Sequence, residues 1–582
     1  MRWPLPDISN EDPRSLLPDD PASRYISSRR IDPQVASARS FQRAKTWLKS
    51  CTQAHEAHVK CPRYTTPILP TRVIDVSSLN PRIVASNGQH GDYVALSYCW
   101  GGPQLTATTR RNIESRMKGF RLSTLPRTLR DAMKVTRQLG LRFLWVDSMC
   151  ILQDSSRDKQ AEMAKMCQVY KNSFVTIIAG SSRSCHEGFL EDRLSRHPTL
   201  VSASEAIEPE IPSIYNTSAL KLPYRCPDGS LGTLSMTKSA SLSLIWDEKN
   251  EPIYRRAWAL QERFLSPRVL LYASDRLVFR CQNTYIMNGA TSDGHAMPPE
   301  LLDSVFFSDS PPPQSEFANG SVYLFKNWSS IVESYAKCEL TVAADKLPGL
   351  SGLVEQYQRL TGDQYRAGLW LSALPGALVW KSMGEGSRAP GYRAPSWSWA
   401  SMDGDVQMNQ IETTEDIELV DCHVSLKTKH VPFGEVTKGV VILKGRLMET
   451  KLGPRKRTRC TVDISWWPRR RPDPDWELYE PDRRHFRSEF PPNEAIGTIK
   501  FDTSEDEESD CPLWFLKFYT VPEKIMVGGL ALTPVTPRQG CLARRFHLKP
   551  KLKSFRRVGT FLMDYFQEDC FQYTGSEVIR II

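Results

Sequence analysis

The sequence predicts an α/β fold, a parallel sheet with flanking helices, followed by a mixed α+β C-terminal region. Three observations carry this. Short, largely apolar runs of strand length stand at residues 93–98, 143–146 and 174–179, the second of them wholly apolar, helical periodicity fills the intervals, and glycine or proline sits at the junctions. Runs apolar on both faces suit strands covered on both sides, and strands separated by helices pair in parallel through crossovers.

The run 93–98 is stopped by Trp100-Gly101-Gly102-Pro103. Ser123 and Thr124 then offer N-caps and Pro126 suits a first turn. Leu129, Ala132, Met133, Thr136 and Leu139 follow helical spacing up to Gly140. The run 143–146 ends at Asp147, a polar residue where a buried strand emerges. Ser155 with Asp158 forms a capping-box-like start, and Met163, Met166, Cys167 and Tyr170 lie on one helical face before the run 174–179 stops at Gly180. Ala257, Leu260, Gln261 and Phe264 mark a further helix, and residues 268–272 and 277–281 read as strands joined by a Ser274-Asp275-Arg276 turn. The prolines Pro311, Pro312 and Pro313 mark a boundary. The expected organisation is a poorly ordered arm over 1–45, an α/β domain over 46–290, a Pro-rich linker over 291–319 and a mixed domain over 320–582.

A chain of 582 residues exceeds what one core supports efficiently, so two or more domains are expected. A hydrophobic share of 40% with 24% charged residues argues against both a disordered chain and a membrane protein. The N-terminus lacks an apolar signal core and no run reaches a bilayer span, so a cytoplasmic or nuclear location is expected. The 14 cysteines include no C-x-x-C pair, which reads as reduced thiols. The net charge of +10 is concentrated in clusters such as 455–457 and 469–471, taken as solvated surface, so a nucleic-acid partner is not expected.

Phosphate-binding loops, dinucleotide fingerprints, zincin and hydrolase motifs are absent from the sequence. Cys185 and His186 are neighbours, but adjacency does not align a nucleophile with a base. Cys51, His55, His58 and Cys61 place four metal donors in a short stretch. Their spacing is not that of a standard finger and Pro62 follows, so a zinc site and a helix end carrying surface histidines both remain open readings, with no metal expected.

Ligands of a parallel sheet bind beyond the carboxyl ends of its strands. There the sequence puts Tyr98-Cys99-Trp100-Gly101 and the stretch from Asp147 through Cys150 to Gln153 and Asp154. Asp147 suits a base or a ribose contact, Gln153 an amide contact and Trp100 a stacking surface; each also fits a capping or packing role. In the segment from Arg255 and Arg256 to Arg263, Trp258 and Glu262 share a helical face and Gln261 joins the apolar one. Glu262 fits either a catalytic acid or a salt bridge with Arg255 or Arg256.

Taken in order, these segments resemble the heterokaryon-incompatibility (HET) domain of filamentous fungi: residues 93–101, Leu125-Pro126-Arg127-Thr128 with Asp131-Ala132, residues 144–151, Gln153-Asp154, Met166, Tyr170, Arg256-Ala257-Trp258 and Gln261-Glu262, with Leu265-Ser266-Pro267-Arg268. The similarity extends to Trp47-Leu48 with Cys51, residues 69–72, 345–347 and 368–370, and the stretch 393–401. Ala259 stands where the family usually has Thr, and Cys99 where a small or polar residue varies. The resemblance implies a role in fungal non-self recognition as an effector of programmed cell death, through protein partners or self-association. It also implies distant similarity to the flavodoxin-like Toll/interleukin-receptor (TIR) domains, some of which hydrolyse NAD. NAD would then be a substrate rather than a bound cofactor, with Asp147 or Glu262 stabilising the cationic ribosyl transition state. The rival reading is a non-catalytic assembly module using Tyr98, Trp100, Gly101, Cys150, Gln153, Asp154, Arg256, Trp258 and Gln261 as its surface.

Overall fold

The first apolar run becomes the middle strand of a sheet in a computed structural model of the chain. The structure describes residues 20–25, 34–53, 61–192, 220–236, 250–274, 276–287, 320–409, 413, 416–428, 431–450, 459–463, 494–509, 511–521, 526–535, 552–564, 571 and 574–582. The chain divides into two units, Met1–Ser310 and Pro311–Ile582. The prolines at 311–313 lie outside the described residues.

In the first unit β1 (Arg72–Asp75), β2 (Arg82–Ala85), β3 (Tyr93–Ser97), β4 (Phe143–Trp145), β5 (Val175–Ile178), β8 (Arg268–Tyr272), β9 (Leu277–Cys281) and β10 (Tyr285–Met287) form one sheet, in the order β10-β9-β8-β5-β3-β4-β1-β2. A separate hairpin, β6 (Leu220–Arg225) with β7 (Leu231–Met236), stands between β5 and β8 in the chain. The three runs expected to be adjacent and parallel are so: Val94 pairs with Leu144 on one side and Val175 on the other. β8 extends the parallel set, with Thr176 opposite Val269. Every residue of β3, β5 and β8 is buried, as two covered faces require.

The sheet is mixed, not purely parallel as expected. β1 and β2 run antiparallel at one edge and β9 and β10 at the other. The links from β1 to β2 and from β8 to β9 are too short for a crossover, so each pair can only turn back on itself.

Seven helices are described in this unit: α1 (Ala38–Gln53), α2 (Ile113–Lys118), α3 (Arg127–Gln138), α4 (Asp147–Cys150), α5 (Ser156–Met163), α6 (Met166–Lys171) and α7 (Ala257–Leu265). α3 buries Leu129, Ala132, Met133 and Thr136, the face read from spacing. It begins after Pro126, while Ser123 and Thr124 sit in a preceding 3-10 turn and cap nothing. The physical reason is that Pro126 excludes the helical conformation from Leu125, which is extended, so no helix can run through that point. Ser155 caps α5 as expected, its Oγ accepting from the Asp158 N–H at 3.3 Å. The single helix expected there is broken at Ala164 and Lys165, where Lys165 Nζ reaches back to the buried Glu162 at 3.2 Å.

The arm expected over 1–45 is corrected at two places. α1 starts at Ala38 and buries Phe41 and Ala44, and Asp20, ahead of a 3-10 turn at Pro21–Arg24, accepts from the Thr233 N–H of β7.

The second unit is mixed α+β. Helices Gly320–Ala336 and Ser351–Thr361 precede a largely antiparallel sheet. Five of its strands, Val436–Thr450, Leu513–Val521, Met526–Pro534, Lys553–Asp564 and Ser576–Ile581, pair in sequence. The last also pairs with the first, which closes a barrel. Among the described residues no helix is long and apolar enough to cross a membrane.

Ile177, fully buried in β5 opposite Leu96 and Leu270, tests the sheet assignment. Ile177→Ala should cost about 2–5 kcal/mol in denaturant unfolding.

Candidate functional site

Because β3 and β4 are parallel neighbours, the residues following them emerge at the same edge of the sheet. The Tyr98 hydroxyl donates to Ser148 Oγ at 2.7 Å, and the Trp100 indole N–H donates to Asp147 Oδ2 at 2.9 Å. Asp147 Oδ1 accepts the Ser148 N–H at 2.6 Å, which holds the carboxylate at the start of α4. The third contributor is the start of α7. Arg256 adopts an extended conformation at its N-cap and donates from its guanidinium to the Tyr98 carbonyl. Tyr98, Trp100, Asp147 and Arg256 are thus brought together as expected.

Glu262 lies two turns further along α7 and is 1% exposed. It belongs to the same electrostatic group, since Arg256 interacts with both Asp147 and Glu262. Burial pushes the Asp147 carboxyl above its ordinary value, against the opposing influence of Arg256, the Ser148 N–H and Trp100. Burial likewise raises the Glu262 carboxyl despite Arg256, with Asp147 adding to the rise. Burial disfavours the Arg256 cation, but Glu262 and Asp147 outweigh it and its guanidinium is raised. Among the described residues no ion pair closes between Arg256 and either acid, and Arg255 is exposed. The expected salt bridge to Glu262 is therefore not formed.

Ser97 and Tyr170 face Glu262, yet Tyr170 donates its hydroxyl to the Leu96 carbonyl at 3.2 Å. Glu262 Oε2 and Ser97 Oγ are left buried with no hydrogen bond of good geometry. A buried carboxylate oxygen without a donor is costly, which agrees in direction with the raised Glu262 carboxyl.

Gly101 serves through its backbone. Its φ is +72°, and a Cβ there would lie 2.2 Å from Ser184 Cβ. This close approach lets the Cys185 N–H donate to the Trp100 carbonyl at 3.2 Å and anchors the loop carrying Trp100. The same contact buries Cys185 and leaves His186 exposed, so the neighbours do not act as a pair.

Several of the expected surface residues make contacts within the loops, Cys150 buried, Gln153 half-buried and Asp154 exposed. Cys150 is fully buried, its carbonyl accepting from Arg72 Nε at 2.6 Å. Gln153 Nε2 donates to the Asp147 carbonyl at 3.1 Å, and the Gln153 N–H donates to the Thr108 carbonyl at 2.8 Å. Asp154 accepts the Arg110 N–H at 2.9 Å. Both therefore fasten the loop at Thr108 and Arg110 and back up Asp147. Gln261 is buried, and Trp258 is half-buried one turn before Glu262. Sequence reasoning passed over Ser97 and Ser148, whose only signal was a small polar residue beside an apolar strand end.

Of the metal candidates, Cys51 and Cys61 meet, their sulfurs 3.6 Å apart, and are joined by Cys281, which was not among the candidates. His55 and His58 lie outside the described residues.

A carboxyl raised in the folded state favours folding fully below its unfolded value, near the ordinary 4.5, and that contribution is lost as pH climbs toward the folded value. Glu262→Gln should therefore gain stability relative to wild type as pH is raised from the ordinary carboxylate range toward neutrality, read from denaturant midpoints. An unchanged difference across that range contradicts the burial-raised carboxyl.

No curated protein and no solved structure matches the chain. Residues 93–262 match the family model described as Heterokaryon incompatibility protein (HET). The match opens on Tyr93, the first residue of β3, and closes on Glu262, so it takes in every member of the cluster at the sheet edge. The segment 93–262 of this chain is a heterokaryon-incompatibility (HET) domain.

Proposed function

We propose that the chain is a factor of fungal non-self recognition, an effector or signalling component of regulated cell death. In this reading it works through the cluster of Asp147, Arg256 and Glu262 and engages protein partners or further copies of itself in the cytoplasm or nucleus. The observation that carries the reading is that Arg256 donates to the Tyr98 carbonyl beside Asp147 and interacts with the buried Glu262 and with Asp147, with no ion pair to either acid among the described residues. Such an arrangement costs folding free energy and leaves charge available for another molecule. Trp100, half-buried beside Asp147, offers an aromatic face next to that charge.

The order of the four parallel strands favours a second reading, hydrolysis of NAD by a TIR-like, flavodoxin-like sheet. In chain order they lie second, first, third, fourth, which puts a topological switch point beside β3, where Tyr98 and Trp100 emerge. Water would replace nicotinamide at the ribose anomeric carbon, giving ADP-ribose, nicotinamide and a proton. Arg256 weighs against this reading, because its positive charge opposes a cationic transition state. The signalling reading carries no such conflict.

Induced expression of the full chain in a filamentous fungus should arrest growth. Asp147→Ala and Glu262→Ala should abolish the arrest by at least about ten-fold in surviving colonies, with protein level and circular dichroism unchanged. Folded variants that still arrest growth refute the cluster as the effector site. Nicotinamide release by purified wild type, lost in both variants, would establish the second reading over the first.

A further inference from the structure

Away from the sheet-edge cluster, three thiols from widely separated positions converge. Cys51 lies in the last turn of α1, Cys61 precedes β1, and Cys281 is the last residue of β9. Their sulfurs all lie within 4.8 Å of one another, and Cys51 Sγ is 3.6 Å from Cys61 Sγ. All three residues are buried, at 2%, 8% and 2% exposure. From the segments ahead of β1 and from β9, next to the sheet edge, the fold thus gathers three thiol donors at one place.

We propose that Cys51, Cys61 and Cys281 hold a structural zinc ion that fastens α1 to β9. The spacing carries the argument first: tetrahedral zinc with Zn–S bonds of about 2.3 Å separates its thiolates by about 3.8 Å, close to the distance observed. A disulfide needs sulfurs at about 2.0 Å, and three thiols always leave one over. The chemistry agrees, since thiolate sulfur is the ligand type that selects zinc over calcium or magnesium. Position agrees as well. Trp47 of α1 stacks on Phe279 of β9 with ring centroids 6.0 Å apart, so the site adds a bond network to an apolar contact at the same junction.

Binding displaces one proton from each thiol to solvent and forms three Zn–S bonds, with no change of oxidation state; the fourth tetrahedral position falls to a donor outside this set.

The test uses the full chain purified under reducing conditions without chelator. Elemental analysis should find about one zinc per chain, released when a mercurial titrates the thiols. Cys61→Ser and Cys281→Ser should each lower zinc to background, while Cys422→Ser, in the second unit, should leave it unchanged. Cobalt exchanged into wild type should give thiolate charge-transfer absorption and tetrahedral ligand-field bands, a readout that stands even where a serine variant fails to fold. A folded wild type without zinc overturns the proposal. So does a Cys51–Cys61 disulfide found by peptide mapping without reductant, or zinc retained at full content in Cys281→Ser.

Discussion

Parallel pairing of β3 on both sides is the constraint from which the α/β unit follows. Its five residues are buried, and its backbone bonds β4 through Val94 and Leu144 and β5 through Val94 and Val175. A strand buried on both faces has no water for its N–H and C=O groups, so it must have a ladder on each edge. Each parallel neighbour in turn can be reached only by a crossover, which is why α3 lies between β3 and β4 and α4 to α6 lie between β4 and β5. The same geometry makes the strands exit on one side, and that is where Trp100 finds Asp147 and Tyr98 finds Ser148.

What collects at that edge is poor economy for folding alone. Two acids are raised by burial, Glu262 Oε2 has no good donor, and Gly101 is held at positive φ against Ser184. The two buried acids cost stability, and the edge around them is held by groups with ordinary bonds: Gln153 braces the Asp147 carbonyl, the Ser148 N–H holds its carboxylate, and the Cys185 N–H anchors the Trp100 carbonyl. That support keeps the costly burial of the two acids from relaxing.

The second unit shows what a buried arginine looks like when structure is its whole purpose. Arg557 is fully buried and bonds Asp502 through Nε at 3.1 Å and through NH2 at 2.9 Å. It also donates to the Leu378 and Trp380 carbonyls, each at 2.6 Å, and its guanidinium stacks on the Trp380 ring. Charge, donors and planar face are all matched, as burial of an ion demands. Arg256 makes a single hydrogen bond to the Tyr98 carbonyl and no ion pair with either acid. The contrast between the two arginines is in how many of their donors are matched among the described residues.

The sequence by itself determined the three parallel strands, the inward face of α3, the Ser155 cap and the approach of Tyr98, Trp100 and Asp147, because each follows from local periodicity or from where a buried run ends. Local rules also explain where single-sequence reading faltered: Pro126 overrode the caps at Ser123 and Thr124, and short links turned the sheet edges antiparallel. Tertiary structure alone decided that Cys150 is buried while Gln153 and Asp154 brace the loop at Thr108 and Arg110, that Glu262 is buried with no salt bridge among the described residues, and that Cys281 meets Cys51 and Cys61. The physical reason is range. Hydrophobic period and turn chemistry act over a few neighbouring residues, whereas burial, charge balance and the meeting of remote thiols arise only after the strands have been ordered in space.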